Sequence, residues 1–131
     1  MAFRCVIVTP EQQALDDSVE QVIIPAWDGQ IGILTGHSAL LVKLGLGVLR
    51  VDFAGGKSKS FMIDGGVAQM KGDHLTIITD DAIAAEDVDV QSARAEYAEA
   101  EARVPTDLKT RDQRTKQMAR ARVQQELAAH K

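Results

Sequence analysis

All ten glycines of this 131-residue chain lie at or before position 72, and that asymmetry divides the molecule. Glycine supplies the positive-φ backbone of tight turns and weakens helix interiors. A stretch that carries it every few residues is built of short strands. A stretch without it can carry long helices. Before the divide the apolar runs are short and rich in Val, Ile and Leu. Phe3 to Val8 is closed by Pro10, and Val19 to Ile24 by Pro25. Ile31 to Leu34 follows Asp28-Gly29. Leu40 to Leu44 ends at Gly45, and Gly47 to Phe53 ends at Gly55-Gly56. Ser60 to Ile63 precedes Asp64-Gly65-Gly66, Val67 to Met70 precedes Lys71-Gly72-Asp73, and His74 to Thr79 closes the series. Short strands at this spacing predict an antiparallel β-sandwich or barrel, and the lack of intervening helices argues against a parallel α/β sheet. Alternation assigns the faces: Leu49, Val51 and Phe53 point to the core and Val48, Arg50 and Asp52 away, while Leu75 and Ile77 oppose Thr76 and Ile78.

From about Ala84 the chain turns to Ala, Glu, Gln and Arg, all good helix formers. Asp87 or Asp89 is placed to cap a first helix, and Val90, Ala93, Tyr97, Ala100 and Val104 make a narrow stripe along it. Pro105 breaks it. Thr106 or Asp107 then caps a second helix reaching about residue 129, with a thin stripe of Leu108, Thr115, Ala119, Val123 and Leu127. The expected organisation is a β-sandwich over 1–84 and an antiparallel helical hairpin over 85–131. A seam made mostly of alanine buries little area, so the hairpin reads as a mobile arm.

Charge separates the same parts. The whole chain carries −4. Residues 86–101 set Arg94 against Glu86, Asp87, Asp89, Glu96, Glu99 and Glu101. Residues 102–131 set eight basic side chains against Asp107, Asp112 and Glu126. The chain as a whole has no nucleic-acid footprint. The basic helix fits an acidic protein surface best, with RNA or anionic lipid less favoured because the acidic body and first helix would repel both. The single cysteine, Cys5, forbids an internal disulfide and reads as a buried thiol. The amino-terminal stretch lacks the pattern of a signal peptide, and no apolar run is long enough for a membrane helix. The chain is therefore expected to be soluble, in a reducing compartment, and to touch a membrane only through partners.

Catalytic chemistry finds little purchase. His37 beside Ser38 is the best-placed base, yet no third group completes a triad. The three histidines and one cysteine give no zinc spacing. Asp80-Asp81 with Glu86, Asp87 and Asp89 lacks a calcium-loop pattern and reads as a solvated acidic linker. Phosphate loops are absent. A free-standing module for carbohydrate or peptide is the alternative, with Trp27 its only loop aromatic.

The segment Pro25-Ala26-Trp27-Asp28-Gly29-Gln30-Ile31-Gly32-Ile33-Leu34-Thr35-Gly36-His37 resembles the loop-and-strand motif of the epsilon subunits of F-type ATP synthases, with Ala26 and Thr35 replacing the family's usual glycine and proline. Further matches follow in order. Val8-Thr9-Pro10-Glu11 resembles the family's opening, and Leu44, Gly47, Val48 and Arg50 its next stretch. Ile63-Asp64-Gly65-Gly66 resembles its Ser-Gly-Gly turn with Asp64 in the serine place, and Leu75 to Asp80 a later strand. The resemblance covers about residues 3–103. It implies a non-catalytic rotor subunit that joins the γ subunit to the c ring, supports coupling of proton or sodium flow to ATP synthesis, and lies on the cytoplasmic face of a bacterial inner membrane. It implies that Asp28, Gln30 and His37 contact γ and the c ring. It also implies that the hairpin swings toward the α/β catalytic head and inhibits ATP hydrolysis, with Arg111, Arg114, Arg120 and Arg122 meeting the acidic segment of the β subunit. Some members bind ATP on the hairpin; here the motif around Asp89 and Arg94 is disrupted, which leaves Arg94 as the one possible contact and no cofactor expected.

Overall fold

The computed structural model describes residues 2–34 and 39–128. Two five-stranded sheets pack face to face. Sheet A contains β1 (Phe3–Val8), β2 (Gln13–Val19), β5 (Leu40–Lys43), β8 (Val67–Lys71) and β9 (His74–Ile78), in the order β2-β1-β9-β8-β5. Sheet B contains β3 (Gln21–Ala26), β4 (Gly29–Leu34), β6 (Leu46–Asp52), β7 (Ser58–Asp64) and β10 (Ala82–Ala84), in the order β10-β7-β6-β3-β4. Helices α1 (Val90–Ala102) and α2 (Leu108–Ala128) follow as an antiparallel pair. The β-sandwich and helical hairpin expected from the sequence are both present.

The core lies between the sheets and is supplied by alternate residues of every long strand. Ile7, Ile24, Ile33, Leu49, Val51, Leu75 and Ile77 are all fully buried there. Phe53 packs at its edge, as the alternation predicts. The ladders are antiparallel except one: β1 runs parallel to β9, with Arg4 opposite His74 and Val8 opposite Ile78. This pairing brings the start of the sandwich beside its end.

Two strands were not foreseen. β2 is polar and carries Asp16 and Asp17, which suits an edge strand with water on one face. Its Val19, read as the start of the next strand, ends this one. β10 is only three residues long and closes the other sheet against β7. Pro25, expected to stop a strand, lies inside β3 opposite Gln30. Across β1 and β2, Arg4 pairs with Asp16 at 2.6 Å, a diagonal contact on the exposed face.

The hairpin rests on the outer face of sheet B, with α2 over β6 and β7. Leu127 is fully buried in a second apolar cluster with Met62, Ala85 and Val88, flanked by Val48, Ile83 and Val123. This cover explains why Phe61, Met62 and Ile63 are all buried: Phe61 and Ile63 face the core, and Met62 faces the helix.

The two helical stripes need correction. Ala93 and Ala100 of α1 are buried as expected, but Val104 lies beyond the helix end and is 82% exposed. On α2, Leu127 is buried, whereas Leu108 at the hairpin tip is 73% exposed. Ala121, outside the expected stripe, is fully buried. The cause is that α2 packs on two neighbours, α1 along one face and sheet B along another. A single stripe describes neither face fully.

Candidate functional site

The β3–β4 turn carries the first group of expected contacts. Asp28 and Gln30 are both exposed, Asp28 in the turn itself and Gln30 at the start of β4. Trp27 beside them is 68% exposed. The backbone behind the turn is fixed: the Trp27 amide donates to the Lys43 carbonyl at 3.0 Å, and the Gly45 amide donates to the Pro25 carbonyl at 2.8 Å. His37, the third expected contact, lies outside the described residues, and so does Ser38 beside it.

Sheet A has an outer face that the rest of the described chain leaves open. Ile78 and Val67 are cross-strand neighbours there, with Val8 paired to Ile78 on the far side. Leu41 lies on the adjoining edge strand. Leu41 and Ile78 are both more than half exposed, and Val8 is half-buried. An apolar band across several strands, left to water on a small domain, marks a surface meant to be covered by another protein.

The basic helix is more engaged than its charge run suggests. Arg114 reaches across to α1, where Nε donates to the Ala100 carbonyl at 2.8 Å and Nη2 to the Glu101 carbonyl at 3.0 Å. A cation thus meets the carbonyls at the end of α1, where the Arg103 amide also donates to the Ala100 carbonyl at 3.3 Å. Arg122 lies over the Tyr97 ring, its guanidinium carbon 5.8 Å from the ring centre. Arg120 is ion-paired with Asp64 and with Asp81, the latter at 2.8 Å. Burial pulls the Arg120 pKa down, but the hydrogen bonds it donates to Asp81 and Asp64 outweigh it, and the net direction is upward. Arg111 is exposed on the first turn of α2.

Asp64 and Asp81 are the residues the sequence reading missed. Asp81 was placed in a solvated acidic linker, yet it holds a helix arginine. One signal was available: Asp64 stands where the resembled family has serine, so the turn gained a carboxylate that needed a partner.

Both helices are capped by aspartates. The Asp89 carboxylate accepts from the Gln91 amide at 2.9 Å and the Ser92 amide at 3.3 Å. Asp107 accepts from the Thr110 amide at 2.8 Å, and that bond holds its carboxyl below the ordinary carboxylate range. Arg94 is exposed on α1, and the Asp89 carboxylate caps the start of that helix.

Compared with known families, residues 2–85 match the model described as ATP synthase, delta/epsilon chain, beta-sandwich domain. The chain belongs to the ATP synthase epsilon-chain family. It is 35% identical over 131 residues to the ATP synthase epsilon chain of Prochlorococcus marinus (strain MIT 9303), covering 95% of this chain and 98% of that one. It is 38% identical over 132 residues to that of Synechococcus sp. (strain WH7803), covering 95% and 96%. Among solved structures it resembles a chain of the Euglena gracilis mitochondrial ATP synthase, at a TM-score of 0.88 and 25% identity, over 98% of this chain and 82% of that one. Agreement over nearly the whole chain includes the hairpin as well as the sandwich. As an epsilon chain it is a subunit of a membrane-associated synthase and is not itself catalytic.

Proposed function

We propose that the chain is the rotor subunit that joins γ to the c ring, and that its hairpin is an arm restraining ATP hydrolysis. The observation that carries the rotor reading is the full-length fit to a chain from an assembly containing F1 and the c-ring. The open apolar band of Val8, Ile78, Val67 and Leu41 suits γ, because an elongated partner can cover it without disturbing the hairpin on the opposite sheet. The β3–β4 turn, with Trp27, Asp28 and Gln30 exposed on a fixed backbone, suits the c ring, and His37 belongs to the same proposed contact region. The protein would then be peripheral, on the cytoplasmic face of a bacterial inner membrane.

The arm reading draws on charge and packing. Arg111, Arg114, Arg120 and Arg122 give α2 a basic surface that fits the acidic segment of β subunits, and α2 meets the sandwich through the apolar cluster around Leu127 and the Arg120 ion pairs. Three of the four arginines serve the docked hairpin, so reaching the catalytic head requires those contacts to break.

The test is ATP hydrolysis by catalytic heads of α, β and γ lacking epsilon, titrated with the full chain and with a truncation ending at Val88, which retains β10. Binding by both with inhibition by the full chain alone is the expected result. If both bind and neither inhibits, the arm is no brake and the rotor role stands. Failure of both to bind γ removes the rotor reading.

A further inference from the structure

Asp64 ends β7 and Asp81 precedes β10, and the sandwich holds the two side by side through its own backbone. The Asp64 amide donates to the Asp81 carbonyl at 3.3 Å. The Thr79 hydroxyl, 2% exposed, donates to the Gly65 carbonyl at 2.8 Å, with the Asp81 carbonyl 3.2 Å away. Neither bond involves the hairpin. Two carboxylates fixed together repel each other, and a cation between them relieves that repulsion. Arg120 supplies it with a planar fork, Nη1 to Asp64 and Nη2 to Asp81. The three side chains are 33%, 37% and 40% exposed, so salt reaches them. On the same face of α2, Val123 and Leu127 enter the small apolar cluster over Met62. The docked hairpin is thus held by one apolar plug and one ionic fork.

We propose that Arg120, Asp64 and Asp81 form an ionic latch that holds the hairpin on sheet B and sets how often it lifts. The inference rests on the arm reading above and specifies its regulation. Arg120 faces two rival acidic surfaces, the Asp64–Asp81 pair and the acidic segment of a β subunit, and occupies one at a time. A cation held in the latch is withheld from the catalytic head.

Hydrogen exchange of the full-length chain, read by mass spectrometry over α2, tests the latch without any partner. Arg120→Gln is expected to raise the opening of α2 about tenfold, the scale of two half-exposed ion pairs. Added salt is expected to raise opening in the native chain and to leave Arg120→Gln unchanged. The double variant Asp64→Asn, Asp81→Asn is expected to match Arg120→Gln, and combining all three to add nothing further. Should Arg120→Gln fail to fold, the carboxylate pair variant carries the test alone. Opening unchanged in the carboxylate variant, or effects that simply add, would overturn the latch. The same variant keeps Arg120 free, so in the hydrolysis assay it should inhibit at lower concentration. Increased opening with unchanged inhibition keeps the latch and removes the brake.

Discussion

Replacing Gly66 by alanine tests how rigidly the turn after β7 is built. Gly66 has φ +103°, a conformation L side chains rarely adopt. An added Cβ would lie 2.0 Å from the Ile78 carbonyl oxygen and 2.7 Å from the Thr79 Cα, both backbone atoms. Neither can yield freely. The Thr79 amide is bonded to the Val8 carbonyl at 3.0 Å, and the Gly66 carbonyl accepts from Leu44 at 2.8 Å. The positive φ alone costs alanine about 1–2 kcal/mol. Forcing an atom into a packed site adds about 1–3 kcal/mol. The expected loss is therefore about 2–5 kcal/mol, a large share of the roughly 5–15 kcal/mol that holds a domain folded. Gly65 is the control within the same turn: its φ is +73°, and a Cβ there meets nothing closer than Asp80 Oδ2 at 3.8 Å. Gly65→Ala should lose only the backbone share, about 1–2 kcal/mol. Urea unfolding followed by circular dichroism separates the two. With a slope of about 2 kcal/mol per molar, Gly66→Ala should lower the midpoint by about 1–2.5 M and Gly65→Ala by about 0.5–1 M, with Gly66→Ala the larger. Equal shifts would refute the reasoning, since they would mean that the Ile78–Thr79 backbone moves aside at no cost.

Leu127→Ala should loosen the hairpin before it harms the sandwich. Truncating a fully buried leucine costs about 2–5 kcal/mol, and here the loss falls on one docked helix, so exchange protection should drop in α2 and persist in β7 and β9. The Cys5 thiol is fully buried, and burial pushes its pKa up to about 12; it should resist a thiol reagent in the native protein and react at once in denaturant. Asp107 has a carboxyl pKa held low by the Thr110 amide. Its support of α2 is therefore present above the ordinary carboxylate range and lost as pH falls through the folded value. Far-ultraviolet ellipticity should show acid fraying of α2 that Asp107→Asn, an equally good cap without a charge, removes.

The sandwich was legible because its core strands obey a two-residue period: Leu49 and Val51, or Leu75 and Ile77, announce their inner face without knowledge of any partner. β2 was not legible, since Gln13 to Val19 holds only three apolar residues, and its place is decided by pairing with β1 rather than by its own composition. The run Phe61-Met62-Ile63 did contain the hidden information. Three consecutive apolar residues in an exposed sheet imply cover on both sides, and α2 is that cover. The basic character of α2 was evident at once, but the partners of its arginines were not. Arg120 meets residues distant in sequence, and Arg114 meets backbone carbonyls that no side-chain pattern announces. The β3–β4 turn was recognisable from its motif, whereas the apolar band on sheet A draws on strands separated by most of the sandwich.

The parallel ladder between β1 and β9 also fixes an order of events during synthesis. β2 can pair with β1 early, but the parallel neighbour of Arg4 is available only when His74 has been made. At about 5–20 residues per second, the first strand waits several seconds with Phe3, Cys5 and Ile7 uncovered. Non-local closure of this kind is slow to form. The hairpin is translated last, and its landing surface on β6, β7 and β10 is complete only once that closure is within reach. A nascent chain of this protein should therefore depend on protection of its first strand, and be most prone to aggregate just before residue 74 appears.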